Sequence, residues 1–122
     1  YEYSGGTDRY ELALTKGKID AGETPLEAAN RELIEEIGYG SNKLTFLKTM
    51  TLAPGYQSNI THIILAQDLY EASAEGDEPE PLEMVEHKLS NLEDLVYFDD
   101  LTEARSIAAL YMAKEIIRKQ NA

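Results

Sequence analysis

Three acidic residues, Glu32, Glu35 and Glu36, are spaced so that a helix would place them side by side. Residues three and four positions apart share a helix face, and like charges at that spacing repel each other. Helix stability therefore gains nothing from this arrangement. A hard divalent cation that prefers oxygen ligands, such as Mg²⁺, removes the repulsion. The spacing indicates a metal site.

The segment around these glutamates carries signals that begin and end a helix. Thr24 and Glu27 form the Thr-x-x-Glu pattern of a capping box, and Pro25 suits the first helical position. Gly38 supplies a C-terminal stop. One apolar stripe recurs at helical spacing and consists of Leu26, Ala29, Leu33 and Ile37. The sequence therefore predicts a helix between Thr24 and Gly38 that contains all three glutamates.

Arg31 lies in this predicted helix beside the acidic residues. It can reach Glu27 or Glu35, four positions away on either side, or fold back to Glu23. We expect Arg31 to orient carboxylates and not to contact a substrate.

The segment before the helix, residues 17–22, is predicted to be a loop bounded by glycines. This loop could bring a backbone carbonyl near Lys16 or Gly17 to the metal.

An acidic helix face is more often merely solvated, and that alternative applies to any isolated run of glutamates.

The stretch from Gly17 to Tyr39 reads G-x5-E-x7-R-E-U-x-E-E-x-G-U, where U is apolar. This pattern resembles the Nudix box at every specified position, which favours metal binding over a solvated face. The resemblance implies hydrolysis of a nucleoside diphosphate linked to another group, with Mg²⁺ as cofactor and Mn²⁺ as an alternative. It also implies that Glu32 and Glu36 are the principal metal ligands, with Glu35 assisting.

Composition limits the kinds of protein to consider. A chain of 122 residues suits one domain, so we expect a single Nudix hydrolase domain over residues 1–122. The net charge of −12 argues against a nucleic-acid partner, because such sites need a basic surface. The absence of cysteine excludes disulfides and cysteine-based zinc sites. No apolar run approaches membrane-spanning length and no signal peptide is visible, so we expect a cytoplasmic protein without a membrane partner.

Strands and helices alternate along the chain, which indicates an α/β or α+β class. Strands are predicted at 9–14, 44–52, 59–67 and 83–89, a turn at 53–56, a short helix from Ser90 or Asn91 through Val96, and a long helix over 102–119. The inward face of the long helix is predicted to comprise Ala104, Ile107, Ala108, Tyr111 and Ile116. The resemblance sharpens the fold to the Nudix α/β/α sandwich with a mixed β-sheet.

The chain opens on Tyr1-Glu-Tyr, in what reads as the middle of a strand. Few strands precede the box, too few for a complete Nudix sheet. We therefore expect the intact protein to carry additional N-terminal strands. The resemblance further implies a homodimer whose N-terminal segment builds much of the interface.

Features beyond the box resemble the ADP-ribose pyrophosphatase branch of the family, and within it the enzymes that act on ADP compounds. Pro54 follows the box at the spacing of that branch, and a tyrosine in the region of Tyr56 is associated with diadenosine polyphosphate hydrolases. The resemblance implies hydrolysis of ADP-ribose, NADH and short diadenosine polyphosphates to AMP and X-phosphate. Tyr56 could stack on adenine, or it could be a half-buried turn residue. The segment from Glu11 into the box is two residues longer than in many members of the branch, so substrate contacts around Glu11 are not carried over.

The general base is less clearly indicated than the metal ligands. Some Nudix enzymes use a glutamate of the box, whereas the ADP-ribose branch uses a later loop, which here offers Glu78 and Glu80. Counting back from the strand predicted after this loop favours Glu80. A solvated acidic loop is the alternative.

Two other functions are compatible with the box. One is a nucleoside triphosphate pyrophosphatase for damaged nucleotides, against which Pro54 and the loop glutamates argue. The other is a non-catalytic Nudix nucleotide-binding sensor, against which the intact box argues.

Overall fold

The computed structural model describes residues 1–72 and 82–122. Glu78 and Glu80, the two predicted general bases, lie outside the described residues. The chain divides into two compact units, of which one contains residues 1–14 and 82–122 and the other contains residues 15–72. Its elements are β1 (Glu2–Ser4), β2 (Arg9–Glu11), α1 (Pro25–Ile37), β3 (Tyr39–Thr51), β4 (Ile60–Glu71), a 3₁₀ turn (Leu89–Asn91), α2 (Leu92–Val96) and α3 (Ala104–Gln120).

Helix α1 begins and ends where the sequence predicts. The Thr24 hydroxyl accepts a hydrogen bond from the Glu27 backbone N–H at 3.2 Å, and the Glu27 carboxylate accepts one from the Thr24 N–H at 3.1 Å. This capping box satisfies two N–H groups near the helix N-terminus, where the first turn lacks intrahelical acceptors. At the other end, Gly38 has a left-handed φ of 82° and donates its N–H to the Ile34 carbonyl at 3.1 Å. The chain reverses there and enters β3 at the next residue.

Strands β3 and β4 form a long antiparallel hairpin within the unit of residues 15–72. The pairing runs from Tyr39 opposite Glu71 to Thr51 opposite Ile60, with a register shift between Phe46 and Lys48. Both strands extend past the predicted ranges of 44–52 and 59–67. Strand β3 begins early because the single glycine after α1 leaves no loop between the two elements.

The turn predicted at 53–56 is confirmed. Ala53 adopts a positive φ of 47°, and its carbonyl accepts a hydrogen bond from the Tyr56 N–H at 2.9 Å. This turn joins β3 to β4 and carries Pro54.

In the other unit, β1 and β2 pair antiparallel, and β2 ends at Glu11. The strand predicted over 9–14 is therefore too long. The Leu12 N–H donates to the Asp100 carbonyl at 2.9 Å, and the Leu14 N–H donates to the Ser106 hydroxyl at 3.1 Å. Residues 12–14 thus bind the segment around the start of α3 instead of extending the ribbon.

The strand predicted at 83–89 does not form in the part of the chain that the structure describes. Most of the residues at 83–89 are exposed, so the weak alternation of apolar and polar residues in this segment does not mark a strand with one buried face. The short helix that follows is confirmed as α2. Asn91 precedes it without a side-chain capping bond, and Leu92 is fully buried.

Helix α3 begins at Ala104, slightly later than predicted, because the Glu103 carboxylate caps it by accepting a hydrogen bond from the Ser106 N–H at 2.6 Å. The predicted inward face is wrong in part: Ala104 and Tyr111 are exposed, and the buried positions are Ser106 and Ala109. The middle of this helix is apolar on nearly every side, so spacing alone does not single out one face.

Both strand pairings in residues 1–72 and 82–122 are antiparallel. The mixed sheet and the layered sandwich stay predictions. Among the described residues, no helix is both long enough and apolar enough to span a membrane.

Candidate active site

Arg31 is the centre of a polar network on helix α1. Its Nε donates to Glu23 Oε2 at 2.8 Å, and its Nη2 donates to Glu23 Oε1 at 3.0 Å. Its Nη1 donates to Glu32 Oε1 at 2.9 Å and to Glu35 Oε2 at 3.3 Å. Nη2 also donates to the Lys18 carbonyl at 2.9 Å. One guanidinium thus connects the loop before the helix to two of the predicted metal ligands.

Arg31 and the acidic residues around it stabilise each other in their charged forms. Hydrogen bonds from Arg31 and from the Asp20 backbone N–H lower the pKa of the Glu23 carboxyl, and the bond with Glu23 raises the pKa of Arg31. The Asp20 carboxylate lies 3.4 Å from Arg31 Nη2. Glu23 is therefore held in its charged form. The predicted partner Glu27 instead uses its carboxylate in the capping box.

Gly17 lies directly against one of the predicted metal ligands. A side chain added at Gly17 would overlap the carboxyl group of Glu32. A side chain at Gly17 would therefore displace the Glu32 carboxylate from this position. Only 17 % of the Glu32 side chain is exposed, so the carboxylate is enclosed between the loop and the helix. Lys16, the other predicted carbonyl ligand, is the preceding residue of the same segment and is exposed.

The donor chemistry at this position fits a hard divalent cation, because carboxylates and backbone carbonyls are its preferred ligands. Glu32 supplies a carboxylate against the Gly17 backbone, and Glu35 and Glu36 lie within one turn of it on α1. Among the described residues, no three acidic or histidine side chains are gathered closely enough to hold a metal. The carboxylates of Glu32 and Glu35 both accept hydrogen bonds from Arg31.

The predicted substrate residues lie in the turn between β3 and β4. The Tyr56 side chain is 96 % exposed, so the alternative of a half-buried turn residue is wrong. Pro54 is exposed in the same turn. The Tyr56 ring is accessible to a flat ligand, and whether it binds one stays a prediction.

Two residues of the site were missed by the sequence analysis. Asp20 was passed over although it is an acidic residue inside the glycine-bounded loop, which was the available signal. Asn30 accepts a hydrogen bond from the Ser41 N–H at 2.8 Å and thereby connects α1 to β3. A polar residue of poor helix propensity in the middle of a helix was the signal for Asn30.

Comparison with known proteins identifies the family to which this arrangement belongs. The model of the NUDIX domain matches residues 3–113. The chain belongs to the Nudix family. The fold expected from the box is confirmed as the Nudix fold, and Nudix hydrolases generally use divalent metal ions.

Individual Nudix relatives resemble nearly the whole chain. This chain is 51 % identical over 119 residues to the ADP compounds hydrolase NudE of Escherichia coli (strain K12). The match covers 98 % of this chain and 64 % of the relative. It is 33 % identical over 117 residues to the ADP-ribose pyrophosphatase of Bacillus subtilis (strain 168), covering 93 % of this chain and 63 % of that protein. The predicted resemblance to the ADP-ribose branch is therefore confirmed.

A crystal structure of an ADP compounds hydrolase superposes with a TM-score of 0.93 at 51 % sequence identity. The superposition covers 98 % of this chain and 64 % of that one. The chain thus spans slightly less than two thirds of the length of these two relatives.

Proposed function

We propose that this chain is the catalytic Nudix domain, over residues 1–122, of an enzyme that hydrolyses the pyrophosphate linkage of ADP-X compounds. The substrates are ADP-ribose, NADH and short diadenosine polyphosphates, and the products are AMP and X-phosphate. The observation that carries the proposal is the 51 % identity to an ADP compounds hydrolase over 98 % of the chain, with every specified position of the box present.

The box residues provide the metal site. The proposed metal is Mg²⁺, with Mn²⁺ as an alternative, and its ligands are Glu32, Glu35, Glu36 and the backbone at Gly17 and Lys16. When bound, such an ion neutralises charge on the bridged phosphoryl groups and on the leaving phosphate. Enclosure of Glu32 against Gly17 supports this assignment, because a partly desolvated carboxylate interacts more strongly with a cation.

Arg31 acts by orienting the acidic residues. Its hydrogen bonds go to Glu23, Glu32, Glu35 and the Lys18 carbonyl, which supports a structural role over substrate contact. By bonding Glu23 and Glu32 together, Arg31 fixes the position of the ligand-bearing face relative to the loop.

The reaction needs a base to accept the proton of the attacking water. We propose Glu80 for this role, with Glu78 as the second candidate, from the resemblance to the ADP-ribose branch. The water oxygen forms a bond to one phosphorus while the bridging phosphorus–oxygen bond breaks, so no covalent nucleophile on the protein is involved. The exposed ring of Tyr56, two positions after Pro54 in the same turn, supports stacking on the adenine of the substrate.

The setting of the enzyme follows from the same resemblance. We propose a cytoplasmic homodimer with no nucleic-acid partner, in keeping with the net charge of −12. Sedimentation of the full-length protein at micromolar concentration tests the homodimer.

Product analysis on a substrate panel tests the activity. Full-length protein with Mg²⁺ is given ADP-ribose, NADH, diadenosine triphosphate and oxidised nucleoside triphosphates, and the Glu32→Gln variant serves as the control for contaminating hydrolases. AMP from the first three supports the proposal. Pyrophosphate released mainly from oxidised triphosphates would identify the damaged-nucleotide enzyme instead. Tight binding of ADP-ribose without turnover would identify a sensor.

A further inference from the structure

Asn30 connects helix α1 to the β3–β4 hairpin through its side chain. Its Oδ1 accepts the Ser41 N–H at 2.8 Å. Ser41 is buried, with 8 % exposed, and its hydroxyl donates to the Gln67 carbonyl on β4 at 2.6 Å. The Lys43 N–H in turn donates to the Ser41 hydroxyl at 3.1 Å. The N–H that Asn30 accepts belongs to the backbone of β3, which pairs with β4 on both sides of Ser41 and is held there by that pairing.

Asparagine at this position is costly for the helix itself. Its helix propensity is among the lower values for ordinary residues, because its side chain competes for backbone hydrogen bonds. Here the side chain bonds outside its own helix, to the next element of the chain. It also lines one wall of a surface cleft of about 360 Å³, together with Glu27, Arg31, Ile34 and Glu35. The bond thus lies beside the polar network and not in a remote part of the unit.

The bond has a direct effect on where the glutamates point. Successive residues of an α-helix are separated by about 100° around the helix axis. Glu32, two residues after Asn30, therefore points about 200° around the axis from Asn30. Glu36, six residues after Asn30, points about 120° from Asn30 when the angle is measured in the opposite direction. With Asn30 held at β3, Glu32 is directed to the opposite side, where the structure places it against Gly17. The Asn30–Ser41 bond therefore acts directly on the rotation of α1 about its own axis, in addition to the packing of α1 against β3.

We propose that Asn30 is a positioning residue for the metal-binding carboxylates: its bond to Ser41 sets the rotation of α1 and thereby the directions of Glu32 and Glu36. This inference rests on the proposed function. A rotation of about 10° would move an atom about 6 Å from the helix axis by about 1 Å. A misplacement of about 1 Å can lower a reaction rate on the order of 100-fold.

Three variants of the full-length protein separate positioning from stability. Asn30→Ala removes the acceptor. Ser41→Ala is the matched control, because it removes the buried hydroxyl and its bonds but keeps the backbone N–H that Asn30 uses. Asn30→Asp keeps an acceptor oxygen at the same place in the side chain. For each variant, Mn²⁺ affinity is measured by electron paramagnetic resonance titration, kcat and KM are measured with ADP-ribose, and the melting temperature is recorded.

The expected result is specific to Asn30. Asn30→Ala should weaken Mn²⁺ binding and lower kcat by about 10- to 100-fold with little change in KM, because misplaced ligands affect the chemical step. Ser41→Ala should lose at least as much thermal stability yet keep Mn²⁺ affinity and kcat within about threefold of wild type, since the positioning bond remains. Asn30→Asp should recover most of the Mn²⁺ affinity.

Two outcomes would overturn the inference. One is equal loss of Mn²⁺ affinity in Asn30→Ala and Ser41→Ala, and the other is wild-type Mn²⁺ affinity in Asn30→Ala. If wild-type protein hydrolyses no ADP-X compound, the proposed function fails by itself. The Mn²⁺ titration still decides the role of Asn30 in that case, because it requires no turnover.

Discussion

Arg31 and Glu23, eight positions apart, form an ion pair through two hydrogen bonds of 2.8 and 3.0 Å. The pair closes the loop in front of α1 onto the helix that carries the predicted metal ligands. Paired bonds from a planar guanidinium fix direction as well as distance, which a single charge contact does not. The position of Glu32 therefore depends on a residue that need not touch the substrate.

Substitution of Arg31 by lysine should disturb the site although the charge is kept. Lysine cannot make the two parallel bonds to Glu23 while also reaching Glu32 and Glu35. We expect kcat for ADP-ribose to fall by about 10- to 100-fold with a smaller change in KM, because ligands are misplaced. Steady-state kinetics at saturating Mg²⁺ checks this.

Arg118→Lys is the matched control for that variant. Arg118 also makes two hydrogen bonds to one carboxylate, that of Glu115, but the pair is exposed on α3. Its replacement should leave kcat unchanged. Equal effects of the two substitutions would show that loss of an arginine, and not loss of this network, lowers the activity.

The charge state of Glu23 should make stability depend on pH in the acid range. Arg31 lowers the pKa of Glu23 in the folded protein, so its stabilising effect is complete above the ordinary glutamate pKa and is lost as the pH falls through the folded value. The difference in unfolding free energy between wild type and Glu23→Gln should be constant from pH 7 down to about pH 5 and shrink below about pH 4. Urea unfolding at a series of pH values measures it.

A double-mutant cycle gives the control for this pH effect. In an Arg31→Gln background the guanidinium is absent, so Glu23→Gln should show much less of the pH dependence. A pH dependence of the same size with and without Arg31 would mean that another group causes it.

Gly17→Ala should weaken metal binding with little effect on the fold. The added methyl group would occupy the space of the Glu32 carboxyl and push that side chain aside. We expect a lower Mn²⁺ affinity by titration and an unchanged far-ultraviolet circular dichroism spectrum. Gly55→Ala is the control, because a side chain at Gly55 meets no atom within 4 Å. Wild-type Mn²⁺ affinity in Gly17→Ala would argue against Glu32 as a ligand.

Much of this site was predictable because its signals are local. The capping box at Thr24, the glycine stop at Gly38 and the spacing of Glu32 from Arg31 depend on residues within a few turns of one helix. In the structure, Arg31 donates hydrogen bonds to Glu23, Glu32 and Glu35. The sequence alone offers Glu23, Glu27 and Glu35 as alternative partners of Arg31. Glu27 does not bond Arg31 because its carboxylate accepts the Thr24 N–H in the capping box.

Contacts between distant segments could not be predicted from the sequence in the same way. Residues 12–14 leave the strand to bind Asp100 and Ser106, and nothing near Leu12 or Leu14 in the sequence signals this. The buried face of α3 was placed wrongly because apolar residues surround most of that helix. The bond from Asn30 to Ser41 joins two elements whose relative rotation periodicity cannot give.

Neutralising the proposed ligands should abolish turnover without unfolding the protein. Glu32→Gln and Glu36→Gln each remove a charge that balances the metal, so each should lower kcat by several orders of magnitude. Glu35→Gln should have a smaller effect, and exposed Glu83→Gln should have none. In wild type, millimolar Mg²⁺ should raise the melting temperature by mass action, and the shift should be smaller in Glu32→Gln. Near-wild-type rates in both Glu32 and Glu36 variants would contradict the ligand assignment.

The base assignment can be tested with a pair of neighbouring substitutions. Glu80→Gln should lower kcat strongly while leaving Mn²⁺ affinity unchanged, because a base accepts a proton and does not hold the metal. Glu78→Gln is the control and should do less. Small and equal effects of both would return the role to the box, with Glu32 as the first candidate.

The junction at Gly38 also bears on protein engineering. Helix α1 passes into β3 through this one glycine, so the chain has no slack there. A residue inserted at the junction would shift β3 by one position and turn each of its side chains to the opposite face of the hairpin. Peptide tags and reporter insertions should therefore avoid this junction, because even one added residue changes which side chains of β3 face the hairpin's two sides.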